Sequence, residues 1–194
     1  MRIAICGGTF DPFHRGHIEP LLAVRDQMEW DDILYIPAWR QPFKTESQIT
    51  SAYHRFAMIA LAIRDQQSVY VSPIELERGG VSYTVDTLDA LHAQLPAASF
   101  DWVIGEDNVG QLSEWKDPER LFQLARFVVL SREGQLRGAP RPSASLVYAH
   151  NKTVPISATE IRNKVRTGES IDALVDPLVS RYIHHYGLYK EGHS

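Results

Sequence analysis

The chain has 194 residues, of which 44% are hydrophobic and 23% charged, a composition typical of a globular protein with one sizeable core. Its formal net charge of −4 at pH 7 argues against a nucleic-acid partner. No apolar run approaches the length of a membrane span, the amino terminus lacks signal-peptide features and Cys6 is the single cysteine, so a cytoplasmic protein without an internal disulfide is predicted.

Strand-like and helix-like segments alternate along the chain. Short apolar runs predict strands, and apolar residues at helical spacing predict helices. In chain order these are a strand at 3–6, a helix at 18–28, a strand at 33–36 ended by Pro37, a helix at 52–63, a strand at 69–72, a helix at 84–95, and strands at 101–105 and 126–131. Asp117-Pro118 and Asp176-Pro177 predict two more helix starts, each with Asp as the N-cap.

This alternation predicts an α/β fold with a doubly wound parallel sheet and helices on both of its faces. No internal repeat is visible, and we predict a single domain over 1–194 whose C-terminal helical part covers about 157–194. Two loops stand out. Residues 37–50 are polar, and residues 134–143 are rich in Gly, Pro and Arg, which favours a flexible surface loop over a basic lid.

The most specific signal lies between the first strand and the first helix. This first motif reads Gly7-Gly8-Thr9-Phe10-Asp11-Pro12-Phe13-His14-Arg15-Gly16-His17. A turn at the paired glycines would let backbone N–H groups approach an anion, and the following helix start adds free N–H groups and a positive dipole end. His14 and His17, three residues apart, would place both rings on one face, while Gly16 leaves the backbone side open. The motif predicts a phosphate site.

The histidine pair is also compatible with roles that involve no phosphate. His14 and His17 could be zinc ligands, or they could be ordinary cap and surface residues. No third Cys, His or carboxylate stands nearby in a zinc-binding pattern, so no metal ligand is predicted in the chain. The full string, placed between a strand and a helix, is far more specific than a lone histidine pair and favours phosphate binding.

A second motif, Ile156-Ser157-Ala158-Thr159-Glu160-Ile161-Arg162, predicts another anion site. Ser157 and Glu160 have the spacing of a capping box, which predicts a helix start at Ser157. Thr159 would lie among the free N–H groups of the first turn, and Arg162 could reach back to the same anion with a forked contact. Taken alone, the segment fits a structural cap with an exposed arginine equally well.

The two motifs resemble the nucleotidyltransferase superfamily related to class I aminoacyl-tRNA synthetases. More narrowly, G-G-T-F-D-P-x-H-x-G-H and I-S-x-T-x-I-R resemble the bacterial nicotinate-nucleotide adenylyltransferase family, and Tyr182-Ile183 and Gly187-Leu188-Tyr189 extend the similarity to nearly the full length. The resemblance implies a Rossmann-like domain that holds the triphosphate of ATP. The ATP-binding residues then expected are Gly7, Gly8, Thr9, Phe10, Gly16, Gly105, Asp107, Ser157 and Thr159.

Two further stretches resemble the same family. They are Ser82-Tyr83-Thr84-Val85-Asp86-Thr87-Leu88, similar to S-Y-T-x-x-T-L, and Gly105-Glu106-Asp107 followed by Trp115, similar to G-x-D…W. The resemblance implies that a nicotinate ring lies against Trp115 and that its carboxylate meets backbone amides near Thr84 and just after Trp115. The expected acceptor-binding residues are Tyr83, Thr84, Trp115 and Lys116. Thr84 could instead be only a helix cap, and Trp115 a partly buried surface aromatic.

Asp107 follows a strand that ends at Gly105, at the edge where ligands collect in open α/β sheets. We expect it to meet a ribose hydroxyl or a metal-bound water, unless it is only a turn residue.

The loop at 37–50 departs from the family, because Pro42-Phe43-Lys44 stands where Pro-His-Lys or Pro-His-Arg is frequent. Lys44 can still meet a phosphate, whereas Phe43 removes a donor. Arg55 could touch this region, although an exposed helix arginine is its simplest interpretation.

The resemblance implies adenylyl transfer. The 5′-phosphate of nicotinate mononucleotide attacks the α-phosphorus of ATP in line, pyrophosphate leaves and deamido-NAD forms. No covalent nucleophile is arranged with a base in the motifs, and a phosphate monoester needs no general base. His14, His17, Lys44 and Arg162, together with Mg²⁺ as the cofactor of ATP, would act by positioning and charge neutralisation.

The acceptor remains open at this point. Nicotinamide mononucleotide is an alternative that sequence separates weakly from nicotinate mononucleotide. Phosphopantetheine is another, although the segment at 82–88 and Trp115 fit it poorly. A nucleotide-binding module without turnover is the alternative outside enzymes, and the retained His14, His17, Lys44 and Arg162 argue against it. The expected partners are ATP and a pyridine mononucleotide, without a membrane, and a homo-oligomer is compatible with the sequence.

Overall fold

The computed structural model describes residues 1–42, 49–132, 146–151 and 154–190. Its strands are β1 (Arg2–Gly8), β2 (Asp32–Pro37), β3 (Val69–Val71), β4 (Ser99–Gly105), β5 (Arg126–Arg132) and β6 (Leu146–Asn151). Its helices are α1 (Arg15–Met28), α2 (Ala52–Ile63), α3 (Ile74–Arg78), α4 (Thr84–Gln94), α5 (Pro118–Leu124), α6 (Ala158–Thr167) and α7 (Pro177–His185), with a 3₁₀ helix at Glu106–Glu114. The strands form a six-stranded sheet in the order β3-β2-β1-β4-β5-β6, and every pairing is parallel.

The sheet separates two hydrophobic layers, because successive side chains of a strand point to opposite faces. In β1, Ala4 belongs to one layer and Ile3 and Ile5 to the other. The first layer is covered by α1, α2, α6 and α7, and the second by α3, α4 and α5. This is the doubly wound, Rossmann-like α/β class that was predicted. Within the described ranges, none of the helices has the length and apolar character needed to cross a bilayer.

The predicted elements are present, with three corrections. The expected turn at Gly7 and Gly8 is wrong, because both glycines continue β1 and pair in register with Ile36 and Pro37 of β2. Helix α1 starts at Arg15, ahead of the predicted Ile18. The elements α3, β6 and the 3₁₀ helix were not predicted, because short segments leave little periodicity to detect. The predicted loop at 134–143 lies outside the described residues.

Asp101 of β4 anchors the buried centre of the sheet and is only 2% exposed. The indole Nε1 of Trp30 donates to Asp101 Oδ2 at 2.6 Å, and Arg126 of β5 donates through Nε to Oδ1 at 2.8 Å and through a second nitrogen to Oδ2. Burying a carboxylate costs free energy unless hydrogen bonds and an opposite charge compensate for the lost water. Asp101 therefore ties β4, β5 and the connection between α1 and β2 into one unit.

We predict that Asp101→Ala lowers the free energy of unfolding by about 3–5 kcal/mol, because it leaves the Arg126 guanidinium and the Trp30 N–H without their partner. Urea denaturation monitored by circular dichroism measures the change. The control is Asp89→Ala, which removes the exposed ion pair with Arg120 and should cost less than about 1 kcal/mol. Equal losses in the two variants would contradict the role given to Asp101.

Candidate active site

A cleft of about 1380 Å³ opens at the carboxyl ends of β1 and β4. These strands are neighbours in the sheet, but the chain leaves β1 toward the layer of α1 and leaves β4 toward the layer of α5. Such a switch point is where open α/β sheets bind ligands. Most of the residues expected from sequence line it: Gly7, Gly8, Thr9, Phe10, Gly16, His17, Tyr83, Thr84, Gly105, Asp107, Trp115, Lys116, Thr159 and Arg162.

The glycines of β1 leave room for aromatic rings. A Cβ atom on Gly7 would lie 2.6 Å from Cζ2 of Trp102, and one on Gly8 would lie 3.0 Å from Cζ of Phe10. Any side chain at these positions would have to displace a buried ring. Both glycines are extended and contribute to the cleft by close packing, in place of the anion-binding turn that the sequence suggested.

After Gly8 the chain turns sharply at Phe10, whose φ of 53° lies in the left-handed region. For a residue with a side chain this conformation costs roughly 1–2 kcal/mol. The Phe10 ring is buried and packs against Phe13, His17 and Tyr35 at ring-centre distances of 5.6, 5.0 and 5.8 Å. This packing compensates for the free-energy cost of the strained backbone and directs the chain along the edge of the cleft.

His14 is the N-cap of α1 and His17 lies in its first turn, with the two rings stacked, 3.6 Å between centres. The backbone N–H of His14 donates to Nδ1 of His17 at 3.2 Å. Because Nδ1 accepts, the proton of a neutral His17 ring sits on Nε2, which becomes the donor available to an anion. The shared face predicted for the two rings is present. However, only His17 lines the cleft, while His14 is buried behind it and 6% exposed.

Both rings are neutral near pH 7 in the absence of a ligand. Burial lowers the pKa of His14 to about 4. Burial, and then repulsion from a charged His14, lower the pKa of His17 well below its usual value. A phosphate beside His17 would favour the protonated ring and so oppose this shift.

The second motif begins α6 as predicted, with the N–H of Glu160 donating to the Ser157 hydroxyl at 3.1 Å. Thr159 and Arg162 line the cleft, whereas Ser157 is not among the lining residues. The Arg162 guanidinium donates to the backbone oxygen of Asp11 at 2.7 Å and to Oγ1 of Thr159 at 3.2 Å. This contact joins the two motifs, which are far apart in sequence.

Asp11 connects the segment between β1 and α1 to two other segments. Its carboxylate, 5% exposed, accepts from the Tyr189 hydroxyl at 2.7 Å and from the backbone N–H of Thr50 at 3.2 Å. Burial, followed by the charge of Asp11, raises the pKa of Tyr189 far above its usual value, so the phenol stays protonated and remains a donor. The end of the chain thus fixes the first motif, a contact that sequence reasoning missed.

The expectation that Arg55 touches the loop at 37–50 is confirmed, whereas its interpretation as an exposed helix residue is wrong. Its side chain is 1% exposed and donates to the backbone oxygens of Thr9 at 2.6 Å, Ala38 at 2.6 Å and Thr50 at 2.9 Å. All of these oxygens belong to segments at the carboxyl edge of the sheet. Nothing in the helical pattern of 52–63 marks this residue, because its partners are distant backbone atoms.

The acceptor residues form the opposite wall. Tyr83 and Thr84 stand at the start of α4, and half-buried Trp115 packs on Phe127 with 6.2 Å between ring centres. Lys116 Nζ lies 4.8 Å from the Tyr83 ring centre and pairs with both carboxylate oxygens of Asp86 at 2.8 and 2.9 Å. The predicted residues are therefore assembled around one half of the cleft.

Glu75 is an unpredicted member of this wall, 4% exposed, with Oε1 accepting from the Thr87 hydroxyl at 2.6 Å. Burial raises the pKa of Glu75.

Lys44 and Phe43 lie outside the described residues, so the roles expected of them stay predictions. Across 1–42, 49–132, 146–151 and 154–190, no cluster of three or more His, Cys, Asp or Glu side chains is placed to hold a metal ion.

Comparison with known proteins agrees with this architecture. A family model described as Cytidylyltransferase-like matches residues 5–164. A probable nicotinate-nucleotide adenylyltransferase of Gemmatimonas aurantiaca is 40% identical, with the alignment covering 98% of this chain and 93% of that protein. One of the same name from Herpetosiphon aurantiacus is 36% identical over 97% and 98% of the two chains.

Among solved structures, the nicotinic acid mononucleotide adenylyltransferase of Plasmodium falciparum complexed with NaAD superposes with a TM-score of 0.77. The alignment covers 97% of each chain at 20% sequence identity, so this likeness concerns the fold.

The buried histidine predicts a pH-dependent stability. Because the pKa of His14 is about 4 when folded and near 6.5 when unfolded, the unfolded chain binds the extra proton, and stability falls as pH drops from about 6.5 toward 4. In His14→Gln, the loss of unfolding free energy between pH 6.0 and 4.5 should be smaller than in the wild type by roughly 1.5 kcal/mol. Urea denaturation at both pH values measures it. His185→Gln, which changes an exposed side chain, should keep the wild-type difference, and an unchanged difference in His14→Gln would contradict the burial argument.

Proposed function

Because this chain belongs to the nicotinate-nucleotide adenylyltransferase family, we propose that it transfers the adenylyl group of ATP to nicotinate mononucleotide, forming deamido-NAD and pyrophosphate. The observation that carries the proposal is the meeting of two helix starts, those of α1 and α6, on one cleft that also contains Trp115 and the start of α4. Two anion-binding helix starts suit a triphosphate, and a third beside an aromatic face suits a flat, carboxylated ring.

At the ATP end, the proposed contacts are His17 and Arg162. His17 would donate from Nε2, since its Nδ1 is already engaged by the His14 N–H. Arg162 uses two of its nitrogens for Asp11 and Thr159, and a guanidinium has five N–H donors, so others can turn to phosphate oxygens. The contacts of Gly7, Gly8, Thr9, Phe10, Gly16 and Ser157 with ATP, and a supporting role of His14, remain part of the proposal.

At the acceptor end, the pyridine ring would stack on Trp115, and its carboxylate would meet free N–H groups at the start of α4 near Thr84. The positive end of a helix dipole favours an anion over a neutral amide. This favours nicotinate mononucleotide over nicotinamide mononucleotide as the acceptor. Lys116, which lies over the Tyr83 ring and pairs with Asp86, would hold that helix start in place together with Tyr83.

The reaction requires little proton chemistry. The attacking phosphate already carries negative oxygens at pH 7, so the protein has to align it with the α-phosphorus and neutralise charge as pyrophosphate leaves. Mg²⁺ bound to ATP would supply further neutralisation of the phosphate charge. Asp107, which lines the cleft beside Gly105, would face a ribose hydroxyl or a metal-bound water, and Lys44 would add a cation.

Other features complete the proposal. We propose a single domain over 1–194, in which α6 and α7 share the hydrophobic layer of α1 and α2. We further propose a cytoplasmic enzyme with no nucleic-acid partner. A homo-oligomer stays a prediction.

We predict that His17→Ala and Arg162→Ala each lower kcat by roughly 10²–10³, the usual cost of losing a donor that stabilises a transition state. Pyrophosphate release from ATP, Mg²⁺ and nicotinate mononucleotide measures the rate. Arg166→Ala, one turn further along α6, removes an arginine that pairs with Asn163 and should leave kcat within about twofold. A folded His17 or Arg162 variant with unchanged kcat/KM would remove that residue from the mechanism.

The acceptor is tested by offering nicotinate mononucleotide, nicotinamide mononucleotide and phosphopantetheine in turn with ATP and Mg²⁺. We expect the highest kcat/KM with nicotinate mononucleotide. Trp115→Ala should raise the KM for that acceptor by roughly 3–10-fold, because stacking contributes about 0.5–1.5 kcal/mol, and should change the KM for ATP little. Faster turnover of another acceptor would correct the assignment, and ATP binding without pyrophosphate release from any of them would indicate a non-catalytic module.

A further inference from the structure

We propose that Arg55 is a positioning residue for adenylyl transfer, which fixes the phosphate-binding rim of the cleft from behind through backbone oxygens. The rim is defined here as residues 9–11, the segment between β1 and α1 that lines the cleft. The inference rests on the proposed function for the reaction that Arg55 supports, whereas the expected effect of Arg55 on ATP binding does not depend on that reaction. Arg55 is a buried cation that lies outside both motifs.

Arg55 lies beneath the rim and is almost wholly shielded from water, with 1% of its surface exposed. Its Nε donates to the oxygen of Thr50 at 2.9 Å, and its two terminal nitrogens donate to those of Thr9 and Ala38, each at 2.6 Å. A longer contact of 3.4 Å reaches the oxygen of Trp39. Each nitrogen of the guanidinium is therefore engaged with main-chain oxygen.

These contacts fix the orientation of the peptide group between Thr9 and Phe10 in the rim. In a planar trans peptide the carbonyl oxygen and the following N–H point in opposite directions. Because Arg55 holds the Thr9 oxygen, the N–H of Phe10 is directed away from Arg55. The left-handed φ of Phe10 gives this segment a conformation that a residue with a side chain rarely keeps unaided. Arg55 therefore preserves a strained turn at the edge of the ATP site.

Arg55 is also linked to the cation on the cleft side of the rim. Thr50 accepts from Arg55 at its backbone oxygen and donates its backbone N–H to the carboxylate of Asp11. The backbone oxygen of Asp11 accepts from Arg162 at 2.7 Å. Hydrogen bonds to Thr50 and Asp11 thus connect Arg55 to Arg162 through these two residues, and a shift of the buried guanidinium would move the rim and the Arg162 contact together.

Arginine is needed here for its fork of donors. The nitrogens diverge in one plane toward oxygens of three segments, a pattern that the single nitrogen of lysine cannot reproduce. Burial lowers the pKa of Arg55 while Asp11 opposes that shift, and arginine remains charged in proteins. A lysine would keep a basic side chain of similar length beneath the rim and lose the simultaneous contacts, so Arg55→Lys tests the fork of donors.

The chain offers a matched control in Arg25 of α1. Arg25 also donates to three backbone oxygens, those of Trp30 at 3.2 Å, Gln67 at 3.0 Å and Asp31 at 2.6 Å. These oxygens precede β2 and β3, at the amino edge of the sheet, and Arg25 does not line the cleft. Arg25→Lys therefore tests the loss of the same kind of contact without disturbing the rim.

The experiment compares the wild type, Arg55→Lys and Arg25→Lys at a temperature well below the lowest melting temperature of the three. Calorimetry gives the Kd of ATP without acceptor, and pyrophosphate release gives kcat and the KM of each substrate. We expect Arg55→Lys to lower kcat by roughly 10–100-fold and to weaken ATP binding, because misplaced reacting groups can cost up to about 10²-fold. The KM for the acceptor should change less than threefold, and Arg25→Lys should stay within about twofold of the wild type throughout.

The proposal is wrong if folded Arg55→Lys keeps kcat and the Kd of ATP within twofold of the wild type. It is equally wrong if Arg25→Lys loses as much activity, because the effect would then belong to the fold. Arg55→Gln is the second variant, and failure of both Arg55 variants to fold would show a role in folding instead of positioning. If the wild type binds ATP but turns over no acceptor, the proposed function fails separately, and the Kd of ATP alone decides the role of Arg55.

Discussion

The site depends on the arrangement of β1 and β4 at the centre of a parallel sheet. Each strand lies beside the other, yet the chain leaves β1 toward one hydrophobic layer and β4 toward the other. Neither connection can cover the shared carboxyl edge, so a cleft forms there regardless of which residues line it. The fold provides the place, and the residues at the strand ends determine which ligand fits.

The site combines one neutral ring on the surface of the cleft, that of His17, with cations anchored to main-chain oxygen. His17 is neutral without a ligand because burial and His14 lower its pKa, and Arg162 and Arg55 both donate to backbone carbonyls. This arrangement avoids a concentration of unpaired charge, while a triphosphate would find donors already oriented. The hydrogen bond from Tyr189 to Asp11 brings the end of the chain into the same assembly.

Local signals made much of the fold predictable, and they identified most of the residues that were expected to lie together and that line the cleft. The Ser157 cap and the Asp117 cap depend on neighbouring residues, and both predicted caps are present, accepting from the N–H groups of Glu160 and Arg120. Arg55 and Tyr189 could not be predicted in this way, because their partners are remote in sequence and mostly backbone atoms.

The paired glycines show a different limit. A Gly-Gly sequence fits a turn as well as a strand that must admit large rings, and only the packed Trp102 and Phe10 distinguish the two. Similarly, the spacing of His14 and His17 predicted a shared face but not which ring reaches the cleft. Residue spacing defines neighbours within an element, whereas exposure depends on what packs against that element.

The most direct measurement is a crystal structure of the protein with deamido-NAD bound, the product of the proposed reaction. We expect the bridging phosphates between His17 and Arg162, and the pyridine ring against Trp115 with its carboxylate at the start of α4. The reaction assigned to the cleft would be contradicted if the product bound elsewhere, or bound with its pyridine carboxylate away from Thr84 and its phosphates beyond the reach of both His17 and Arg162.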